Sequence, residues 1–307
     1  MPKMNVRRST TINSPAATVF NRVADLNHWT AWSPWLITEP EAKVTVSDDS
    51  KFYSWEGKRV GSGEMRITAE KTNQSVDYDL TFLKPWKSHA KVRFELNERN
   101  GVTEVDWIMD SSLPFFMFWM KKMMEAFVGM DFQRGLNLLK DYVEDGEVHS
   151  KLEFVGERNY PGCEYIGIKR STTMAGVGPD MKNDFTKLWE MVSSDMDNVT
   201  GESFSIYHKW EIVKGKVRYT AGVPVKKVPE NLPSGVITGK LHAMKIHTLR
   251  HVGPYIHLGN AWTTMQMMMR GKEFKPVKGM HPFETYVNMP GEVPDNELIT
   301  DINFAVK

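Results

Sequence analysis

The second half of the chain repeats itself, and that repeat constrains its fold more than any other feature. Residues 163–307 carry one order of patterns twice. "CEYIGIKR", "PDMKNDFTKLWEMVSS", "SFSIYHKW" and "KVRYTAGVPV" are answered by "LHAMKIHTLRHV", "GPYIHLGNAWTTMQMMMRG", "PFETYVNM" and "LITDINFAVK". Each set reads strand–helix–strand–strand. Met181, Phe185, Leu188 and Val192 form the apolar stripe of the first helix, and Leu258, Trp262, Met265 and Met269 that of the second. Gly253-Pro254 opens the second helix and Gly271 closes it. Two such units bury their apolar faces by packing as a pseudo-twofold pair, with a central groove where they meet.

The first half has a different rhythm. "NVRRSTTI" alternates as a strand, and Asn13-Ser14-Pro15 opens a helix carrying Val19, Phe20 and Val23. Trp29, Trp32 and Trp35 follow at intervals of three. Between about 42 and 110 stand six period-2 segments, from "AKVTVSD" to "TEVDWIMD", with turn signals such as Asn100-Gly101 between them. These predict an antiparallel meander. Met120, Met124, Phe127, Val128, Leu138, Leu139 and Tyr142 then recur at helical spacing, predicting a long helix over about 118–144. "DGEVHSK" (145–151) reads as a linker. With 307 residues, the chain is expected to hold two α+β domains, at 1–148 and 152–307.

Composition removes several function classes. The 39 basic and 38 acidic residues leave no electrostatic footprint for nucleic acid, and there is no helix-turn-helix pattern. Cys163 is the only cysteine, which rules out an intrachain disulfide and makes it by default a buried structural thiol. His242, His247, His251 and His257 match no metal spacing and read as surface or strand histidines, so no metal or other cofactor is expected. "GVGPD" (176–180) lacks the Gly-Lys of a phosphate-binding loop. No signal peptide is evident, and the longest apolar run, "LPFFMFWM", ends at Lys121-Lys122, too short to span a bilayer. A cytoplasmic protein without a membrane partner is the expectation.

One residue stands out. In "PFETYVNM", Glu284 shares a strand face with Tyr286, opposite Phe283 and Thr285. In the first repeat the equivalent face carries Ser205 and Tyr207. A carboxylate among aromatic rings attracts a cationic ligand, while the ring faces supply apolar area. Partial burial would raise its pKa and suit it to act as a general base. A solvated carboxylate on an open sheet face is the bland alternative.

The motifs "RHVGPYIHLGNAW", "HPFETYVNMPGEVPDNELITDI" and "FSIYHKWEI" resemble the GyrI-like family, the AraC-type effector-binding domains. "HWTAWSPW", "YSWEGKRVGSGEM" and the closing helix resemble the START-like, or SRPBCC polyketide cyclase-like, helix-grip family. The second resemblance implies an antiparallel sheet wrapped around a long C-terminal helix, leaving an apolar cavity. The first implies a groove that binds bulky, apolar, often cationic or planar compounds, with Glu284 facing it. Glu284, Tyr286, Tyr207, Tyr255, Trp262 and Trp210 are then the candidate ligand-binding residues. The last strand departs from the family pattern, with Asn303 and Ala305 where an aromatic residue and a proline are common.

Three functions follow as expectations. The first is binding of a hydrophobic, possibly cationic or planar xenobiotic. The second is hydrolysis of strained cyclopropanoid electrophiles, with Glu284 as catalytic base and Tyr286, Tyr207 or Tyr255 as proton donor. The third is a protein-interaction role such as topoisomerase protection, its partner unspecified.

Overall fold

The computed structural model describes residues 3–307 and separates into two compact units, Met1–Ser150 and Lys151–Lys307. Both are α+β, each built on one large antiparallel sheet.

The N-terminal unit begins with β1 (Lys3–Ile12), the helix α1 (Ala16–Val23) and a single turn, α2 (Trp29–Trp32). The meander follows as β2 (Lys43–Val46), β3 (Phe52–Glu56), β4 (Ser62–Lys71), β5 (Ser75–Lys84), β6 (Ser88–Arg99) and β7 (Val102–Ser112). Neighbours in sequence are neighbours in the sheet, and β1 returns to pair with β7. Asn100 and Gly101, both in the left-handed region (φ 54° and 78°), make the tight turn between β6 and β7. The closing helix α3 spans Lys121–Glu144. It starts three residues later than the periodicity suggests, because Phe115–Met120 forms a 3₁₀ turn with no buried residue.

Period-2 alternation on β5, β6 and β7 turns Tyr78, Phe94 and Trp107 inward. Phe132 of α3 lies flat on Trp107, ring centres 4.1 Å apart and planes 9° apart. Trp29 and Trp32 meet edge to face at 4.5 Å in the same core.

The C-terminal unit contains β8 (Lys151–Tyr160), β9 (Cys163–Thr173), α4 (Val177–Val192), β10 (Phe204–Glu211) and β11 (Lys216–Val225). Next come β12 (Val236–Leu241), β13 (Met244–Val252), α5 (Leu258–Arg270), β14 (Phe283–Tyr286) and β15 (Ile299–Ala305). Its sheet runs β12-β9-β11-β10-β14-β15-β13-β8. Phe185, Leu188 and Val192 of α4 pack on Ile166, Val217 and Val223, and Ala261, Met265 and Met268 of α5 on Leu249, Ile302 and Phe304.

Several expectations need correction. β8 and β12 are strands that the apolar patterns do not reveal, because both are largely exposed. The second helix opens with a 3₁₀ turn, Tyr255–His257, before α5. β14 stops at Tyr286, short of Val287 and Asn288. His257 is buried in that 3₁₀ turn, on neither the surface nor a strand, whereas His251 is a strand histidine of β13; Cys163 is only half-buried, its Sγ 3.3 Å from the Tyr160 hydroxyl.

Candidate functional site

At the middle of the C-terminal sheet, β10 lies beside β14, with Ser205 opposite Glu284; on the other side Ile302 of β15 faces Glu284. Glu284 is 2% exposed. Burial of a carboxylate demands partners, and three converge on it. The Trp262 indole N–H donates to Oε1 at 2.6 Å. The hydroxyls of Tyr207 and Tyr286 both donate to Oε2, at 2.9 and 2.7 Å. Burial raises the Glu284 pKa above the usual carboxylate value, and the three hydrogen bonds oppose that rise without cancelling it. Both tyrosines titrate well above a free phenol, first through burial and then through the adjacent carboxylate.

Local backbone irregularity completes the aromatic wall. Residues three apart on a regular strand point to opposite faces. Yet Tyr207 and Trp210 stack at 4.8 Å, because the register of β10 against β11 slips at His208. The bulge re-aims Trp210 onto the Glu284 face. Trp262, from α5, meets Tyr207 edge-on at 5.0 Å and lies 5.8 Å from Trp210. Tyr286 contacts Phe185 of α4 at 5.5 Å and Tyr255 at 5.8 Å.

The structure thus brings all six residues singled out by sequence into one cluster. Trp210 and Trp262 are half-buried and Tyr255 is exposed, while Tyr207, Tyr286 and Glu284 lie beneath them. Tyr207 and Tyr286 have committed their single protons to Glu284. Tyr255 makes no hydrogen bond among the described residues, so it alone of the three has an uncommitted hydroxyl. Two neighbours were not anticipated as part of the site. Met181 Sδ and Ser205 Oγ stand 3.2 and 3.0 Å from the Tyr286 hydroxyl. Met181 was visible only as one member of a helical stripe.

Two other carboxylates of this unit are fully buried, and both are neutralised. Asp184 accepts a bidentate contact from Arg170 and a 2.7 Å bond from the Tyr219 hydroxyl. Asp301 sits between Arg158 and Arg250, at 2.8 Å from each. Among the described residues no lysine, arginine or histidine pairs with Glu284. No group of three histidine, cysteine or acidic side chains is arranged to hold a metal among those residues either.

In the N-terminal unit, Trp29, Trp35, Tyr53, Trp55, Trp107 and Phe132 border an apolar cavity of about 50 Å³. A drug-sized ligand needs roughly 300 Å³ or more, so the aromatic side chains leave far less room than the helix-grip resemblance implies. Among the described residues no helix is long and apolar enough to cross a membrane.

A buried carboxylate under aromatic rings in one antiparallel sheet, joined in sequence to a sheet closed by a long helix, defines a two-part α+β protein. Residues 157–307 match the model of the GyrI-like small molecule binding domain, and residues 3–144 that of the polyketide cyclase / dehydrase and lipid transport family. The chain therefore joins an N-terminal polyketide cyclase-like domain to a C-terminal GyrI-like one.

Among solved structures, the EcmrR–DNA complex is similar at 16% identity, covering 62% of this chain and 69% of that one with a TM-score of 0.43. The EcmrR C-terminal domain is 18% identical, covering 52% of this chain and 98% of that one at 0.39. A Mesorhizobium loti protein is 12% identical, covering 47% and 99% at 0.36. No curated protein matches the sequence.

Proposed function

We propose that the C-terminal unit binds an apolar, planar, cationic small molecule. It would enter between Tyr255, Trp262 and Trp210, with Glu284 as its counter-charge. The observation that carries this reading is the contrast among the three buried carboxylates. Asp184 and Asp301 have guanidinium partners, whereas Glu284 has only neutral donors and a roof of rings. A buried charge without a cation is costly; a cationic ligand supplies one, and the rings add cation–π attraction. The family's small-molecule character supports binding at the general level.

The groove belongs to a tandem pair of strand–helix–strand–strand repeats in this reading. The sheet order supports that: exchanging β8 with β12, β9 with β13, β10 with β14 and β11 with β15 reverses the order into itself. The two units act as separate domains, with their boundary in sequence near residue 150.

A hydrolytic reading keeps one specific support, the raised pKa of Glu284, which favours proton abstraction from water. With Tyr207 and Tyr286 bound to Glu284, Tyr255 is the available donor for a leaving oxygen.

One experiment separates the readings. Wild-type protein and Glu284→Gln are titrated with planar cationic dyes and incubated with a cyclopropane-bearing alkylator, followed by mass spectrometry. Unchanged compounds, bound by wild type and lost by the variant, are expected. Catalytic formation of a water adduct by wild type alone establishes the hydrolase. Absence of any binding removes the groove assignment.

A further inference from the structure

The chain between β7 and α3 places large apolar side chains in water. Phe115, Phe116, Phe118 and Trp119 are 77%, 74%, 61% and 69% exposed, and their 3₁₀ turn buries none of its residues. At about 200 Å² per ring, these four expose on the order of 500 Å². That is as large as the greatest patch on a typical monomer, and such patches are commonly functional.

A second segment adds to it. Leu83, at the end of β5, and Trp86, in the β5–β6 turn, are both exposed. Phe82 pairs with Ser88, Ala90 with Ser111 and Lys3 with Ser112. The turn and the aromatic segment therefore leave the sheet at the same end, flanking β6.

Within the two stretches that carry these rings, the formal charges have one sign. Residues 83–91 contain Lys84, Lys87 and Lys91, residues 112–122 end in Lys121 and Lys122, and neither stretch contains an acidic residue. Lys84 and Lys121 touch Glu56 and Glu125 at 3.0 and 3.7 Å, and Lys91 pairs with Asp79, all of them pairs of small energy at the surface. Lys87 and Lys122 are exposed and form no ion pair among the described residues. Over the whole chain the net charge is only +1, so the excess is local.

We propose that this end of the N-terminal unit docks on the surface of an anionic lipid bilayer, with Trp86, Phe115, Phe116, Phe118 and Trp119 inserted at the headgroup level and the lysines on lipid phosphates. Aromatic rings flanked by lysine match that interface chemically, with apolar faces below and cations at the phosphates. Each basic residue near an anionic leaflet adds attraction, and it falls off within a Debye length. A second copy of the chain fits poorly, since a two-fold contact through this patch sets lysines against lysines.

The test uses the full chain and vesicles of either phosphatidylcholine alone or equal parts phosphatidylglycerol and phosphatidylcholine. Co-flotation is measured for three proteins: wild type, the quadruple variant Phe115→Ser/Phe116→Ser/Phe118→Ser/Trp119→Ser, and Lys87→Glu/Lys122→Glu. All changed residues are exposed, and circular dichroism checks that the fold persists. Wild type is expected to bind the anionic vesicles about tenfold or more tightly than the neutral ones, to be released by high salt, and to lose about tenfold or more in either variant. Equal binding to both vesicles, or undiminished binding by the serine variant, overturns the proposal. So does wild type that ignores vesicles but is retained on polyglutamate, or that dimerises without lipid through a contact the serine variant abolishes.

Discussion

The indole N–H of Trp262 reaches Glu284 Oε1 at 2.6 Å, so one bond ties helix α5 to the centre of the C-terminal sheet. The ring making it is also the edge contact for Tyr207 and for Phe304. In the proposed binding mode the same side chain is both a wall for the ligand and a donor to the carboxylate, and through it α5 is tied to Glu284.

That carboxylate gives a pH signature. The Glu284 pKa is raised in the fold, so its carboxylate forms at higher pH than an ordinary glutamate. Binding of a fixed cationic dye should strengthen as pH rises through that value, and Glu284→Gln should bind about tenfold or more weakly with a flat profile. Fluorescence titration at several pH values measures both.

Removing a donor is a different perturbation. Tyr286→Phe deletes the 2.7 Å bond while keeping the ring against Phe185 and Tyr255. Loss of a hydrogen bond to a buried carboxylate should cost about 1.5–3 kcal/mol, read from urea unfolding. Ring-dependent dye affinity should fall less than in Glu284→Gln.

The Arg170–Asp184 pair is structural by the same comparison. Arg170→Met leaves a fully buried carboxylate with only Tyr219 and should destabilise by about 3 kcal/mol or more. The double change Arg170→Met/Asp184→Leu should recover most of that loss, which a double-mutant cycle quantifies. Dye binding at Glu284 should survive in the double variant.

Acid sensitivity has an identifiable source. Burial pushes His251 down from 6.5 to about 3, and His208 down to about 4. A depressed histidine contributes stability that is present above pH 6.5 and lost as pH falls toward the folded value, because the unfolded chain takes the proton first. Glu284 acts with the opposite sign: its contribution is present below the ordinary glutamate pKa and lost as pH rises through its raised one. His251→Gln should therefore flatten the decline of stability between about pH 6 and pH 4, followed by thermal unfolding.

The N-terminal cavity should respond to truncation. Phe132→Ala removes the ring lying on Trp107 and should cost about 3–5 kcal/mol, while enlarging a space now near 50 Å³. A benzene-sized apolar probe should then stabilise the variant and not the wild type, as a shift in melting temperature.

What the sequence discloses depends on how far a residue's role is local. The six meander strands and the long helix are visible because alternation and helical spacing report burial directly, as at Tyr78, Phe94 and Trp107. The face of Glu284 follows from strand parity alone. The same parity gives Tyr286 and, in the first repeat, Tyr207, but not the two tryptophans: Trp262 arrives from a helix whose rotation about its axis is set by packing, and Trp210 shares the face only because of the bulge at His208. β8 and β12 stay hidden for the opposite reason. Their strand character comes from pairing with distant segments, and their exposed side chains leave no apolar signature.

The partner of β8 has a bearing on biosynthesis. β8 pairs not with its neighbour β9 but with β13, Tyr160 against Met244. At a synthesis rate of about 5–20 residues per second, the roughly 85 intervening residues take on the order of 4–17 s to emerge. During that interval β8 trails behind the ribosome as an unzipped edge, and the C-terminal sheet can close only once the nascent chain is nearly finished.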